Sequence, residues 1–215
     1  MRIAIYDLDN TLTRRATFTP FLIFAAWRIA PWRLALLPVW VAMMIGYRAG
    51  LYDRTILKTA GMKLMVGKVR IATLQEVGRE FADRRVADDG LMPATLALLE
   101  EDRRQGARIA IATAAFEFYA AAFARHLDID TVIGTRWDGR SIPGGNCYGE
   151  TKLARVRAWA AEQNHQLEDA EFRFVSDSFA DAPLLDLAYE PIFISASSRK
   201  REKAKARGWR IISAD

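Results

Sequence analysis

Cysteine is almost missing from this 215-residue chain. Cys147 stands alone, which excludes an intramolecular disulfide framework and any zinc site built from several thiolates. Histidine is nearly as scarce, with only His126 and His165, so a histidine-rich metal centre is excluded too. No apolar run reaches the ~18–20 uninterrupted residues that a spanning helix needs. Internal repeats and long Gly/Ser linkers are also missing. The chain starts Met1-Arg2-Ile3-Ala4-Ile5-Tyr6 and runs straight into acidic residues. That pattern is no secretory leader, and it predicts a protein that stays in the cytoplasm.

Acidic residues are missing from one stretch in particular. Residues 10–75 hold ten arginines and lysines against a single acid, Asp53. That stretch therefore carries +9, and since the whole chain carries +5, the remainder carries −4. A basic island on an otherwise acidic protein predicts an anionic partner. The composition as a whole, 51% hydrophobic and 27% charged, excludes a disordered or collagen-like chain. A chain of this length buries roughly 70% of its unfolded surface without disulfide or structural metal.

The basic island is also the most apolar part of the sequence. Residues 21–27 and 34–47 are uncharged runs, broken by Pro31 and Pro38 and separated by Arg28 and Arg33. Trp27, Trp32, Trp40, Tyr47 and Tyr52 are rings of the kind that favour a membrane interface. Two readings stand side by side. Either a helical subdomain packs its apolar faces on each other, or a helical hairpin dips into one leaflet with its arginines on the phosphate layer.

Outside this stretch, strand and helix patterns alternate. Residues 2–6, 108–112, 131–133, 172–175 and 192–194 are short β-rich runs of the kind found in buried parallel strands. Residues 93–105, 116–127, 151–163 and 179–187 read as helices, the first with Pro93 at its opening position and Gly106 just past its end. The basic tail at residues 199–210 reads as a further helix. This order predicts an α/β fold: a doubly wound, open parallel sheet with helices on both faces and an all-helical insertion. Such sheets do their chemistry at the carboxyl ends of strands.

The first strand ends in Asp7-Leu8-Asp9-Asn10-Thr11-Leu12-Thr13, so two carboxylates one residue apart can face a single phosphate and a single divalent cation. Three more elements follow in order, each after a strand: Thr113 after Ile109-Ala110-Ile111-Ala112, Lys152 within Gly149-Glu150-Thr151-Lys152, and Asp177 and Asp181 within SDSFADAPLL. Together these resemble the four motifs of the haloacid dehalogenase superfamily of phosphotransferases, across nearly the whole chain. The long gap between the first two motifs resembles the phosphoserine-phosphatase-like branch, with a helical cap inserted after the first motif. The resemblance implies a Rossmann-like core at residues 1–13 and 90–215, with a cap at 14–89. One departure is Asn10, where the family pattern has glycine.

The resemblance also implies roles. Asp7 would be the nucleophile that forms an aspartyl phosphate. Asp9 would protonate the leaving oxygen and then activate water. Thr113 and Lys152 would bind the phosphoryl group, Lys152 by charge. Mg²⁺ would be held by Asp7, Asp177 and the backbone carbonyl of Asp9, with Asp181 assisting. Arg14 and Arg15, just beyond the nucleophile loop, are candidates to meet an anionic substrate. His126 and His165 read as surface or packing residues, and Cys147 either lines the site or is a buried thiol.

Substrate choice in this superfamily lies with the cap. An aromatic, apolar, strongly basic cap is similar to those of membrane-associated members of the branch, the phosphatidylglycerophosphatase C type among them. The implied substrate is an anionic lipid or glycerol-phosphate headgroup at the inner membrane face. The alternative is a soluble phosphatase for a small metabolite such as phosphoserine or a sugar phosphate. Nucleic acid is not an expected partner.

Overall fold

The computed structural model describes residues 2–88, 90–167 and 170–214. Asp89, where the sequence places the end of the helical cap, lies outside them, as do Met1 and Asp215 at the limits of the expected core.

The first strand, β1 (Arg2–Tyr6), shows why the sheet has two buried faces. Ile3 and Ile5 point into one apolar cluster, whereas Ala4 and Tyr6 point into another, as the two-residue period of a strand demands. β1 pairs in parallel with β2 (Arg108–Phe116) on one side and β4 (Glu171–Ser176) on the other. The sheet grows outward through β3 (Thr131–Thr135) beyond β2, and through β5 (Glu190–Ile194) and β6 (Arg210–Ile212) beyond β4, in the order β3-β2-β1-β4-β5-β6. The winding direction reverses beside β1. The crevice outside strand ends at such a reversal is where ligands bind in open α/β sheets.

Between Thr13 and Leu91 the chain leaves the sheet and forms helices α1 (Phe18–Ile29), α2 (Leu37–Arg48), α3 (Arg54–Gly61) and α4 (Ile71–Ala87). Its way out and its way back lie side by side. Thr13 bridges Leu91, the Arg14 amide donates to Gly90 O at 2.8 Å, and the Met92 amide donates to Leu12 O at 2.9 Å. Helices α5 (Pro93–Arg104), α6 (Glu117–His126), α7 (Glu150–Glu162), α8 (Ala182–Leu185) and α9 (Ser198–Lys205) complete the fold.

Helix α4 lies close against α6 because position 78 is glycine. A Cβ there would come within 2.8 Å of Tyr119 Cβ and 3.0 Å of Tyr119 Cα. The joint is filled by aromatic rings, with Phe21 stacked on Tyr119 at 4.7 Å and edge-on to Phe81 at 5.6 Å. Burying each such ring contributes about 2–3 kcal/mol. Phe21, Leu74 and Phe81 of these inserted helices therefore share one core with Tyr6, Ile111 and Phe116 of the sheet.

Several expectations need correction. β2 does not end at residue 112 but continues to Phe116, with its register against β3 shifted between Ala112 and Phe116. The two alanines before Phe116 have little β propensity, so this extension is invisible in the pattern. The helix expected at 179–187 is a short 3₁₀ turn, Phe179–Asp181, followed by the single-turn α8. Pro183 sets the opening of α8, as its missing N–H allows. The basic tail is helical only over Ser198–Lys205. It then turns at Gly208, buries Trp209 and adds β6 at the sheet edge.

Trp40 also differs from expectation. It is not an interfacial ring but is 1% exposed, edge-on to Phe18 at 5.8 Å and pressed on Gly61, where a Cβ would meet the indole at 2.7 Å. Tyr52 is half-buried, its hydroxyl donating to Met43 O. Trp40 is the one buried residue of α2; Leu37, Met43, Met44 and Tyr47 pack partly buried against the core, and Val39, Val41 and Ile45 are exposed. Among the described residues no helix is long and apolar enough to cross a membrane.

Candidate active site

At the carboxyl ends of β1 and β4 lies a cleft of about 370 Å³. Its floor forms because β1 stops at Tyr6 and the chain makes an irregular turn over Leu8–Leu12. Asn10 sits in that turn at φ +54°, in the left-handed region that asparagine tolerates better than most side chains. This explains how asparagine can stand where the family pattern has glycine. The Asp7 amide donates to Val175 O at 2.9 Å, which fixes the end of β1 against β4.

Lys152 reaches the cleft from the first turn of α7, after Gly149 has turned the chain at φ +56°. Its ammonium is 3.1 Å from Asp7 Oδ1 and 2.7 Å from Asp181 Oδ2. Burial works against this charge, but the Asp181 and Asp7 carboxylates outweigh it and hold the lysine protonated well above its ordinary range. Asp7 is buried. Burial raises its carboxyl well above the ordinary range, Lys152 opposes the rise, and Asp181, Asp177 and Asp9 add to it. Asp177, just past β4, is pushed up to about 6 by burial, with Lys200 opposing and Asp181 and Asp9 reinforcing.

Asp9 is held differently. Its Oδ1 accepts from the Thr17 amide at 2.8 Å and from the Thr17 hydroxyl at 2.6 Å. No described donor takes Oδ2. Asp181 accepts from Ser176 Oγ at 2.7 Å through Oδ2, while its other oxygen, Oδ1, is buried with no partner. Thr113 is fully buried directly behind Ala114, which lines the cleft, and its Oγ1 accepts from the Ala115 amide at 3.0 Å.

The cleft thus gathers Asp7, Asp9, Asp177, Asp181 and Lys152, with Thr113 one residue behind its wall. Arg14 and Arg15 open instead onto a neighbouring hollow of about 380 Å³ that shares Asn10 and Asp177 with the cleft. Arg14 Nε also donates to Leu91 O at 3.0 Å. Cys147 is a buried thiol with Sγ 3.5 Å from Ile133 O, and burial raises its pKa. His126 lies far from the cleft, paired with Asp83 at 2.7 Å.

Sequence reasoning missed Thr17, which orients Asp9, and three cleft residues: Arg54, Tyr148 and Lys200. The Arg54 guanidinium, from α3, lies over the Tyr148 ring at 4.6 Å, and both line the cleft. No spacing rule marks these residues, since each arrives from a different element.

Four carboxylates face three cations here, and this suits a hard divalent ion. Burial raises the Asp7 and Asp177 carboxyls, the neighbouring carboxylates add to the rise, and one Asp181 oxygen has no partner, so a cation here would be offset by charge already in place. Among the described residues no three His, Cys, Asp or Glu side chains form a ready cluster by themselves. A backbone carbonyl, water and a phosphate oxygen would complete the shell. A hollow of about 800 Å³ between α4, α6 and the segment after β3 has no such arrangement of lysine and carboxylates.

Residues 4–186 match the family of haloacid dehalogenase-like hydrolases. The protein CicA of Caulobacter vibrioides is 32% identical over 72% of this chain and 71% of its own length. A histidinol-phosphatase of Neisseria meningitidis is 28% identical over 65% of this chain and 66% of its own. The solved structure of a protein with unknown function from Bordetella pertussis Tohama I superposes with a TM-score of 0.84 at 28% identity, covering 100% of this chain and 99% of that one.

Proposed function

The chain belongs to the haloacid dehalogenase-like hydrolases, and from that membership and the geometry of the cleft we propose that it is a Mg²⁺-dependent phosphomonoester hydrolase working through a phosphorylated Asp7. The single observation that carries this reading is the buried Asp7–Lys152–Asp181 cluster with Asp9 fixed beside it.

Each residue has a task that its surroundings fit. A carboxylate oxygen of Asp7 attacks phosphorus and the bond to the substrate oxygen breaks. Asp9, pinned through Oδ1, gives a proton from Oδ2 to that leaving oxygen, then takes one from the water that cleaves the aspartyl phosphate. Lys152 neutralises Asp7 and the incoming phosphoryl charge, and Thr113 offers its hydroxyl to a phosphoryl oxygen. Asp7, Asp177 and the Asp9 carbonyl would hold Mg²⁺ with Asp181 in support, and the bound ion would offset the negative charge of the phosphate.

For the substrate we favour an anionic lipid or glycerol-phosphate headgroup at a membrane surface, with the protein peripheral to the inner face. The support is the outer face of residues 14–89. Among the described residues, eight of the ten exposed large hydrophobic side chains fall at positions 23–56, with Trp32 65% and Leu51 75% exposed. Exposed apolar side chains concentrated in one part of a chain support an interaction surface there. Arg33 lies over Trp32 at 4.7 Å and Arg28 over Trp27 at 5.5 Å. A second copy of so basic a face would be repelled, whereas anionic lipid would be attracted. Arg14 and Arg15, on the hollow beside Asp177, would meet the headgroup.

A soluble metabolite is the second reading, favoured by the similarity to a protein named histidinol-phosphatase. Phosphate release should be compared across phosphatidylglycerophosphate, lysophosphatidate, glycerol phosphate, phosphoserine and a sugar phosphate, with and without anionic vesicles. Preference for the lipids, sharpened by vesicles, supports the first reading. Brisk turnover of phosphoserine or a sugar phosphate by a protein that ignores vesicles selects the second.

A further inference from the structure

Lys58 is a residue for which the reaction above has no use. It belongs to α3 in the cap, yet it is 3% exposed and its ammonium reaches into the core. There it donates to the backbone carbonyl of Ala114 and to Asn146 Oδ1 at 3.1 Å. The Phe116 and Phe18 rings stand 4.5 and 5.0 Å from it. Burying a lysine so deeply is costly, and a cap needs no such contact merely to pack.

The Ala114 carbonyl matters because of the peptide that carries it. The N–H of the Ala114–Ala115 peptide donates to Thr113 Oγ1 at 3.0 Å. Its C=O, on the opposite side of a trans peptide, accepts from Thr135 Oγ1 at 2.7 Å and from Lys58. This peptide therefore fixes the Thr113 hydroxyl by occupying one of its lone pairs. Among the described residues nothing accepts the hydroxyl proton, which stays available to a phosphoryl oxygen. Asn146, the other acceptor, begins the segment that leads through Gly149 to Lys152.

We propose that Lys58 is a positioning residue: from the cap, it locks the Ala114–Ala115 peptide in the orientation that presents the Thr113 hydroxyl proton to the phosphoryl group. Seating of the cap and readiness of the phosphate site then become one event. This assignment rests on the phosphatase reading and on the role that reading gives Thr113.

The test is a double-mutant cycle on hydrolysis of a generic aryl phosphate, using Lys58→Met, Thr113→Ala and the pair. Lys58→Met should lower kcat roughly tenfold to a hundredfold, the scale on which a misplaced group acts. The pair should be no slower than Thr113→Ala by more than twofold, because both changes remove one interaction. Thr135→Val, which deletes the other donor to the Ala114 carbonyl, should lower kcat in the same non-additive way. It serves as the test if Lys58→Met does not fold. Unchanged kcat in a folded Lys58→Met, or effects that multiply with Thr113→Ala, overturn the proposal while leaving the phosphatase reading intact. Wild-type protein that hydrolyses no phosphomonoester overturns both.

Discussion

The Lys152 ammonium and the Asp7 carboxylate are 145 positions apart in sequence and 3.1 Å apart in space. Both are buried, and Asp181 shares the same ammonium at 2.7 Å. Removing the lysine would leave two buried carboxylates facing each other, so Lys152→Met should cost about 3–5 kcal/mol of unfolding free energy. Urea titration checks this, and the cost should shrink in acid, where the carboxylates protonate.

Asp7→Asn keeps the shape of the nucleophile and removes its charge. Phosphate release should fall on the order of 10³-fold or more, as when a nucleophile is deleted elsewhere. Asp9→Asn should fall strongly too, with aspartyl phosphate accumulating as protein-bound label that survives acid and is released by hydroxylamine. A wild-type rate from Asp7→Asn would sink the mechanism.

Chelation should abolish phosphate release, and Mg²⁺ should restore it. The ion would bind the folded chain and not the unfolded one, so adding it should also raise the melting temperature. Calorimetry on the chelated and Mg²⁺-loaded protein measures this without reference to turnover.

Lys58 predicts a pH dependence of stability. Burial, with Arg54 alongside, lowers its pKa from an ordinary 10.5 to about 7, while Asp9 and Cys147 oppose the shift. Between those values the unfolded chain binds a proton that the folded chain does not, so stability rises with pH across that window. Below about pH 7 both states are charged and the contribution is lost. Wild type should therefore gain on Lys58→Met as pH rises from 7 toward 10, and urea midpoints at three pH values would show it. A flat difference means that the lysine titrates as if exposed.

Trp32 and Trp40 should part company. Trp32→Ser with Ile45→Ser alters the outer face, so stability should move by less than about 0.5 kcal/mol each while sedimentation with anionic vesicles drops. Trp40→Ser hollows the cap core and should cost about 3–5 kcal/mol. Equal loss of vesicle binding from the outer pair and from Arg28→Gln with Arg33→Gln would mean that charge alone holds the protein there.

Much of this was legible in the sequence, and the limits have physical causes. Ile3, Ile5 and their counterparts in β2 and β4 announce parallel strands because both faces are buried. Asp7 and Asp9 stand out because a strand end leaves them nowhere else to point. Trp40 misleads because α2 is apolar all round, so its pattern names no inward side. β6 is three residues long and carries too few positions to show a period. Arg54 and Lys58 leave no local trace, since each finds its partner only after the inserted helices have folded back on the sheet, and Thr17 meets Asp9 at an eight-residue spacing that no motif marks.

The cap helices and the sheet share one apolar core through Phe21, Phe81, Tyr119 and Phe116. Such a molecule has no seam along which to come apart. Heat or denaturant should dissolve both regions in a single cooperative transition, and a protease that nicks the exposed turn at Gly50 should leave the two pieces bound together.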